Sequence, residues 1–327
     1  MVSKRKILFR ADAGADIGYG HFIRTLALAD MLKDDFECIL YTQSPTEYQR
    51  KECENVCSLV ELPADDTRLQ LFLDCLSGDE IVVLDNYFYT TDYQRRIKDK
   101  GCKLVCIDDM HDKHYVADLI INQGICWTRD DYSCEDYTRF AFGLRYSLLR
   151  KPFFEACKER QSKNSISDKL NVVVAFGGSD FLDLTQKTIL GIIDEPIVKS
   201  ITAIVGDRYS SEKMIESPKV VYKKNLSAKE IAEIFMNTDV AILPASTMMN
   251  EALACGAKII GGYYVRNQEY DYYAFLKENL IEGVDDYSDD DSVRRIRKVL
   301  GHIRDKALLN TITPETPQIM VELFKTL

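Results

Sequence analysis

Lys6-Ile7-Leu8-Phe9-Arg10-Ala11-Asp12-Ala13-Gly14-Ala15-Asp16-Ile17-Gly18-Tyr19-Gly20-His21-Phe22-Ile23-Arg24 reads as a short apolar strand, a glycine-containing turn and the start of a helix. Phe22, Leu26 and Ala29, with Ile23, Ala27 and Met31, recur at helical spacing, so the helix opens close to Gly20. A strand feeding directly into an amphipathic helix is the first unit of a parallel α/β sheet. His21 therefore sits at a helix start, where free N–H groups and the positive helix end favour a neutral imidazole able to take a proton from water. Gly18 and Gly20 allow the backbone to approach a ligand closely. A glycine pair before a helix also serves tight turns that bind nothing, so the other strand ends must be read beside it.

Working outward, the chain of 327 residues suits two domains of roughly 150 residues each. Its 42 basic side chains against 52 acidic ones give a net charge of −10, which argues against nucleic acid or an anionic membrane as the main partner. Met1-Val2-Ser3-Lys4-Arg5-Lys6 leads straight into the first strand, without the apolar run of a signal peptide or membrane span, and a cytoplasmic protein is expected. The ten cysteines, among them Cys38, Cys75 and Cys106, are expected to be reduced, buried thiols. Cys53/Cys57 and Cys102/Cys106 lack the CxxC spacing or nearby histidine of a zinc site, so no metal is expected.

Short apolar runs alternate with amphipathic stretches throughout. In the first half, strands are expected at Lys6 to Ala11, Phe36 to Thr42, Glu80 to Asp85, Lys103 to Asp108 and Asp118 to Asn122. In the second they are expected at Val172 to Phe176, Ser200 to Val205, Lys219 to Tyr222, Val240 to Leu243 and Lys258 to Ile260. These make two Rossmann-like sheets, in domains at 1–157 and 170–327 joined by a polar linker at 158–169. Thr313 to Phe324 reads as a closing helix that packs back on the first domain, and the acidic run Asp285 to Asp291 reads as a solvated loop and helix start.

Ligands of open parallel sheets sit at the carboxyl ends of the strands. Asp12, Asp85-Asn86-Tyr87, Asp108-Asp109 and Asn122-Gln123 fall at such ends in the first half and are expected to face one cleft, although each alone also suits a cap or turn. In the second half, Gly177-Gly178-Ser179-Asp180 follows a strand and precedes a helix, a pattern that lets backbone N–H groups meet a phosphate. Ser246 and Thr247 open another helix whose N–H groups can bind a diphosphate, and Asn250 and Glu251 follow within its first turns. Glu251 can accept both ribose hydroxyls, or belong to a capping box. Asn267 and Gln268 follow a further strand, where their amides suit sugar hydroxyls or acetamido groups, while Asn267 also suits a plain N-cap.

Taken in order, Arg10 to Gly14, Gly18-x-Gly20-His21-x-x-Arg24, Leu84 to Tyr87, Ile107 to Asp109, Phe176 to Asp180, Ser246-Thr247 with Asn250-Glu251-Ala252-Leu253, and Asn267-Gln268 resemble the UDP-sugar hydrolases of pseudaminic acid biosynthesis. That resemblance implies a GT-B fold of two Rossmann-like domains with a cleft between them. It implies hydrolysis of UDP-2,4-diacetamido-2,4,6-trideoxy-β-L-altrose to UDP and the free sugar, without metal or cofactor. His21 maps onto the base that activates water. Asp12 and Arg24 would support its loop, Asp85, Tyr87, Asn267 and Gln268 would lie on the sugar side, and Gly177, Gly178, Ser179, Ser246, Thr247, Asn250 and Glu251 would hold UDP. Asn86 and Phe181 depart from the residues common at their positions, the first of them near the sugar. Two other readings share these residues: a GT-B glycosyltransferase, in which the histidine activates an acceptor hydroxyl, and a UDP-sugar-binding protein that needs no base. A transferase acting on a lipid-linked acceptor should show an apolar patch rimmed by Lys and Arg in its first domain, and no such run stands out.

Overall fold

A computed structural model describes residues 4–13, 19–160, 168–177, 180–206, 209–305 and 311–327. Gly18, Gly178, Ser179 and most of the expected linker lie outside these residues. The chain divides into two compact units, Met1–Lys151 with Glu315–Leu327, and Pro152–Pro314.

The first unit runs β1 (Lys6–Arg10), α1 (Gly20–Leu32), β2 (Glu37–Gln43), α2 (Glu47–Cys53), β3 (Ser58–Leu62), α3 (Thr67–Asp74), β4 (Ile81–Leu84), α4 (Thr91–Asp99), β5 (Lys103–Ile107), β6 (His114–Tyr115), β7 (Leu119–Asn122), β8 (Ser133–Cys134) and β9 (Arg139–Phe142). Seven strands form one parallel sheet in the order β3-β2-β1-β4-β5-β7-β9, with β6 and β8 paired separately. Ile7, Leu8 and Phe9 are all buried, as expected of a central parallel strand covered on both faces. Ile7 and Phe9 pack with Phe22, Leu26 and Leu28 of α1, while Leu8 packs on the other face with Phe72, Leu73 and Ile97 of α3 and α4.

A helix, α5 (Lys151–Glu159), leads into the second unit: β10 (Leu170–Val174), α6 (Leu184–Ile192), β11 (Val198–Ile204), β12 (Val220–Lys223), α7 (Ala228–Met236), β13 (Val240–Pro244), α8 (Thr247–Ala254), β14 (Lys258–Tyr263), α9 (Glu269–Lys277), β15 (Glu282–Asp286) and α10 (Ser292–Leu300). Six parallel strands follow the order β12-β11-β10-β13-β14-β15. The closing helix, α11 (Thr316–Lys325), packs Met320, Val321 and Phe324 into the core of the first unit.

Both sheets are larger than five strands, because β3, β9 and β15 join them at or next to an edge. β15 is Glu282-Gly283-Val284-Asp285-Asp286, so the first two aspartates of the acidic run are strand rather than loop. Tyr287 then turns inward, its hydroxyl donating to the Leu243 and Ile260 carbonyls at 3.0 and 2.9 Å. The described cysteines are free thiols, but Cys75 and Cys126 are exposed, against the expectation of burial. Cys75 ends α3 on its solvent side, where its thiol donates back to the Leu71 carbonyl.

In each sheet the strand order reverses beside the first strand, between β1 and β4 and between β10 and β13. The loops leaving those strands diverge there and open a crevice. Asp12 and Asp85 follow one such pair, and Gly177 and Ser246 follow the other.

Candidate active site

His21, Arg24 and Thr25 share one face of α1 at helical spacing, and all three reach across to the end of β4. His21 is 7% exposed, and its Nδ1 lies 2.7 Å from Asp85 Oδ1. Arg24 donates to the same carboxylate twice, from Nε to Oδ2 at 2.7 Å and from Nη2 to Oδ1 at 2.5 Å. Thr25 adds a hydroxyl donor to Oδ2 at 3.0 Å. Asp85 is fully buried. Burial alone would raise its pKa, but the Arg24 charge and hydrogen bonds, with those of His21, hold it below the usual carboxylate range. An ionised carboxylate only accepts, so His21 Nδ1 carries a hydrogen, and the neutral tautomer compatible with this bond has its lone pair on Nε2. Arg24 Nη2 also lies 3.2 Å from Nδ1, a contact between two donors that share Oδ1. Among the described residues, nothing donates to Nε2.

Arg24 continues outward to Asp109, with Nη1 donating to Oδ2 at 2.8 Å. Burial would lower the Arg24 pKa, but its two carboxylate partners raise it well above the usual value. The Tyr87 ring stands edge-on against His21 at 4.7 Å, and its hydroxyl is 3.4 Å from Asp109 Oδ2. Burial and then the Asp109 charge push the Tyr87 pKa up, so it stays a phenol.

Asp12 is also fully buried and is occupied by the protein. Arg10 grips both of its oxygens, Gln43 N donates to Oδ1 at 2.8 Å, and Arg68 Nε lies 3.5 Å from Oδ2. Its own N–H donates to Asn86 Oδ1 at 2.7 Å, while Asn86 Nδ2 returns a bond to the Asp12 carbonyl at 3.2 Å. Asn86 thus ties the β1 and β4 loops together. Gly20 opens α1, and a Cβ added there would meet nothing within 4 Å.

The strand ends do not all converge as expected. Asp108 turns inward, accepting the Tyr115 and Tyr132 hydroxyls at 2.5 and 3.0 Å and the His111 N–H at 2.8 Å. Asn122 serves the same interior network, donating to Tyr132, and Gln123 accepts the Leu148 N–H. Asp109, read from sequence at a strand end, joins the His21 cluster through Arg24. Thr25 also belongs to it and was not singled out from sequence; its signal was the spacing of His21, Arg24 and Thr25.

In the second unit Gly177 has φ 81°, a conformation that requires glycine. Asp180 is a structural cap, its two oxygens accepting the Leu184 and Thr185 N–H groups at 2.9 Å each. Ser246 holds the N-cap position of α8 and makes no side-chain capping bond; both it and Thr247 are exposed. The capping-box position is Met249, so the box alternative for Glu251 does not form. Glu251 and Asn250 are buried on α8, and among the described residues Asn250 Oδ1 has no hydrogen-bond partner. Gln268 accepts the Tyr264 N–H at 3.1 Å and occupies the N-cap position of α9. That leaves Asn267 within a 3₁₀ turn, its side chain outside the described residues.

A cavity of about 500 Å³ lies elsewhere in this unit, where α7 covers the polar sheet face of Asn171, Ser200 and Thr202. It adjoins the amino end of β10, away from Gly177 and Ser246, and much of its polar lining is turned inward: Ser200 donates to Asn171, and Thr238 to the Ile234 carbonyl. Among the described residues, no group of three or more His, Cys, Asp or Glu is arranged to hold a metal ion, and no helix is long and apolar enough to cross a membrane.

No protein-family profile matches the chain. An uncharacterized protein of Methanocaldococcus jannaschii is 25% identical over 84% of this chain, which spans 58% of that relative's length. The UDP-2,4-diacetamido-2,4,6-trideoxy-β-L-altropyranose hydrolase of Campylobacter jejuni is 24% identical over 81% of this chain and 93% of its own. The spore coat polysaccharide biosynthesis protein SpsG of Bacillus subtilis is 24% identical over 75% of this chain and 74% of its own. Among solved structures, Acinetobacter baumannii MurG superposes with a TM-score of 0.67 at 10% identity, covering 99% of this chain and 100% of that one. MnaA of S. aureus, solved with UDP, gives 0.66 at 10% identity over 98% and 96%. The fold is that of the GT-B proteins, and the resemblance to the UDP-sugar hydrolases of pseudaminic acid biosynthesis read from the motifs is borne out along most of the chain.

Proposed function

We propose that this protein is a nucleotide-sugar hydrolase that releases UDP from UDP-2,4-diacetamido-2,4,6-trideoxy-β-L-altrose, with His21 as the base. The carrying observation is the His21–Asp85 pair at the β1/β4 switch point, which fixes Nδ1–H inward and, among the described residues, leaves Nε2 without a partner. In this reading Nε2 takes a proton from water, and the water oxygen attacks the anomeric carbon. The bond from that carbon to the diphosphate oxygen breaks, and its electron pair leaves with UDP. The imidazolium so formed sits against Asp85 and returns its proton to solvent. Asp12, with Arg10 and Asn86, ties the ends of β1 and β4 together, and the Tyr87 ring stands edge-on against His21. No step calls for a metal or cofactor.

The sugar is assigned to the first switch point and UDP to the second. Gly177, Gly178 and Ser179 with the exposed start of α8 at Ser246 and Thr247 supply N–H and hydroxyl donors to the diphosphate. Glu251 accepts the ribose hydroxyls, the unmet Asn250 Oδ1 accepts a further donor from the nucleoside, and Asn267 and Gln268 meet the sugar substituents. Support for UDP and for this sugar comes from the name of the Campylobacter relative together with the motifs shared along the chain.

Purified protein is expected to release UDP from this sugar nucleotide with no acceptor added and at the same rate in EDTA. UDP release that depends on an added acceptor would instead identify a transferase, and binding without release a sensor. Glu251→Ala is expected to weaken UDP binding by roughly ten- to a hundredfold, the scale of hydrogen bonds to a charged acceptor, with turnover at saturation little changed. Calorimetric titration with UDP checks this, and an unchanged affinity removes the ribose role.

A further inference from the structure

We propose that Asp109 is a specificity residue, whose free carboxylate oxygen accepts a hydrogen bond from an N–H or O–H substituent of the sugar and repels anionic groups from His21. The assignment rests on the hydrolase reading of the site. Asp109 is 39% exposed, and both its polar contacts, Arg24 Nη1 at 2.8 Å and the Tyr87 hydroxyl at 3.4 Å, use Oδ2. Among the described residues Oδ1 has no partner. A carboxylate present only to balance Arg24 is redundant, because Asp85 already takes Nε and Nη2 of that side chain in a two-point pair. Oδ1 is acceptor-only, and its carboxylate is held by the same guanidinium and phenol that contact His21.

Charge narrows what that group can be. Asp85, Arg24 and Asp109 together carry one net negative charge beside the His21 ring, and the two carboxylates accept from all three nitrogens of the Arg24 guanidinium. A diphosphate is therefore disfavoured at this edge, whereas a neutral sugar rich in amide and hydroxyl donors is favoured. An acetamido N–H is the donor class that fits best, since it satisfies Oδ1 without bringing charge.

The test measures binding rather than turnover, in full-length protein carrying His21→Asn to prevent hydrolysis. Titrations compare UDP-2,4-diacetamido-2,4,6-trideoxy-β-L-altrose with UDP. Adding Asp109→Ala is expected to reduce the ratio of the two affinities at least tenfold with UDP affinity unchanged. Asp109→Asn, whose amide oxygen still accepts, is expected to recover part of the ratio. An unchanged ratio in Asp109→Ala, or an equal loss of UDP and sugar-nucleotide affinity, overturns the assignment. Failure of the wild-type protein to release UDP would overturn the hydrolase reading, and the affinity ratio would still report on Asp109.

Discussion

His21→Asn is expected to slow UDP release on the order of 10²- to 10⁴-fold, the range over which a positioned general base accelerates proton transfer. Asparagine can still donate an N–H toward Asp85, as Nδ1–H does, so the buried carboxylate keeps a partner. What disappears is the basic lone pair on Nε2. The rate should therefore fall at saturating substrate, with UDP affinity in calorimetry unchanged, because the groups proposed to hold UDP lie on the other unit. Turnover within a few fold of wild type would show that another group, or none, deprotonates the water. The loss should also persist when an alcohol replaces water as nucleophile, since the same proton must be removed.

Much of the fold was legible because parallel strands covered on both faces leave uninterrupted apolar runs. Ile7-Leu8-Phe9, Ile81-Val82-Val83-Leu84 and Leu119-Ile120-Ile121 are buried throughout, and each was readable as a strand. β3, β9 and β15 escaped notice for the converse reason. At or near an edge only part of each strand is covered, so Ser58-Leu59-Val60-Glu61-Leu62 and Glu282-Gly283-Val284-Asp285-Asp286 carry polar residues that resemble loop. Their pairing is set by backbone hydrogen bonding to a neighbouring strand, as in Ile39↔Ser58 and Ile260↔Glu282, which leaves little trace in side-chain pattern.

The candidate site was legible in position and less so in direction. Strand ends locate Asp12, Asp85, Asp108 and Asn122 at the carboxyl edge, but not the way each side chain turns. Asp108 and Asp109 illustrate this: the first enters a tyrosine network inside the sheet, the second faces Arg24 and solvent. Successive side chains of an extended segment point to opposite sides, so one of such a pair is committed inward. Asp85 and Asp12 were read among the substrate-side residues, yet each is fully buried and surrounded by protein donors. In the hydrolase reading their influence on a ligand passes through His21 and Arg24. The helical spacing of His21, Arg24 and Thr25 held the missing information, since three donors on one face call for a common acceptor.

Asp85→Asn is expected to lose activity about as severely as His21→Asn, by inverting the imidazole rather than removing it. Arg24 and Thr25 between them donate three hydrogen bonds to the Asp85 carboxylate, so the carbonyl oxygen of an asparagine would turn toward them. Its NH₂ would then face His21 Nδ1, which must accept, and the ring proton would move to Nε2. A histidine protonated at Nε2 cannot take a proton from water there; the analogous exchange in serine proteases costs about 10⁴ in rate. Because both substitutions disable one unit, the double variant should be little slower than either single one, and multiplicative losses would separate Asp85 from His21. Stability should fall too, by about 3–5 kcal/mol if the remaining partner is left uncompensated and by less here, because Arg24 retains Asp109. A thermal melt separates that effect from catalysis. The sign of the pH dependence follows from the depressed Asp85 pKa: its contribution is fully present above the unfolded carboxyl value of about 3.9 and is lost only as pH falls through the lower folded value. Any acid limb of the wild-type rate profile lying between about pH 5 and 8 therefore belongs to a group other than Asp85, and a limb that vanishes in Asp85→Asn would report the change of tautomer at His21.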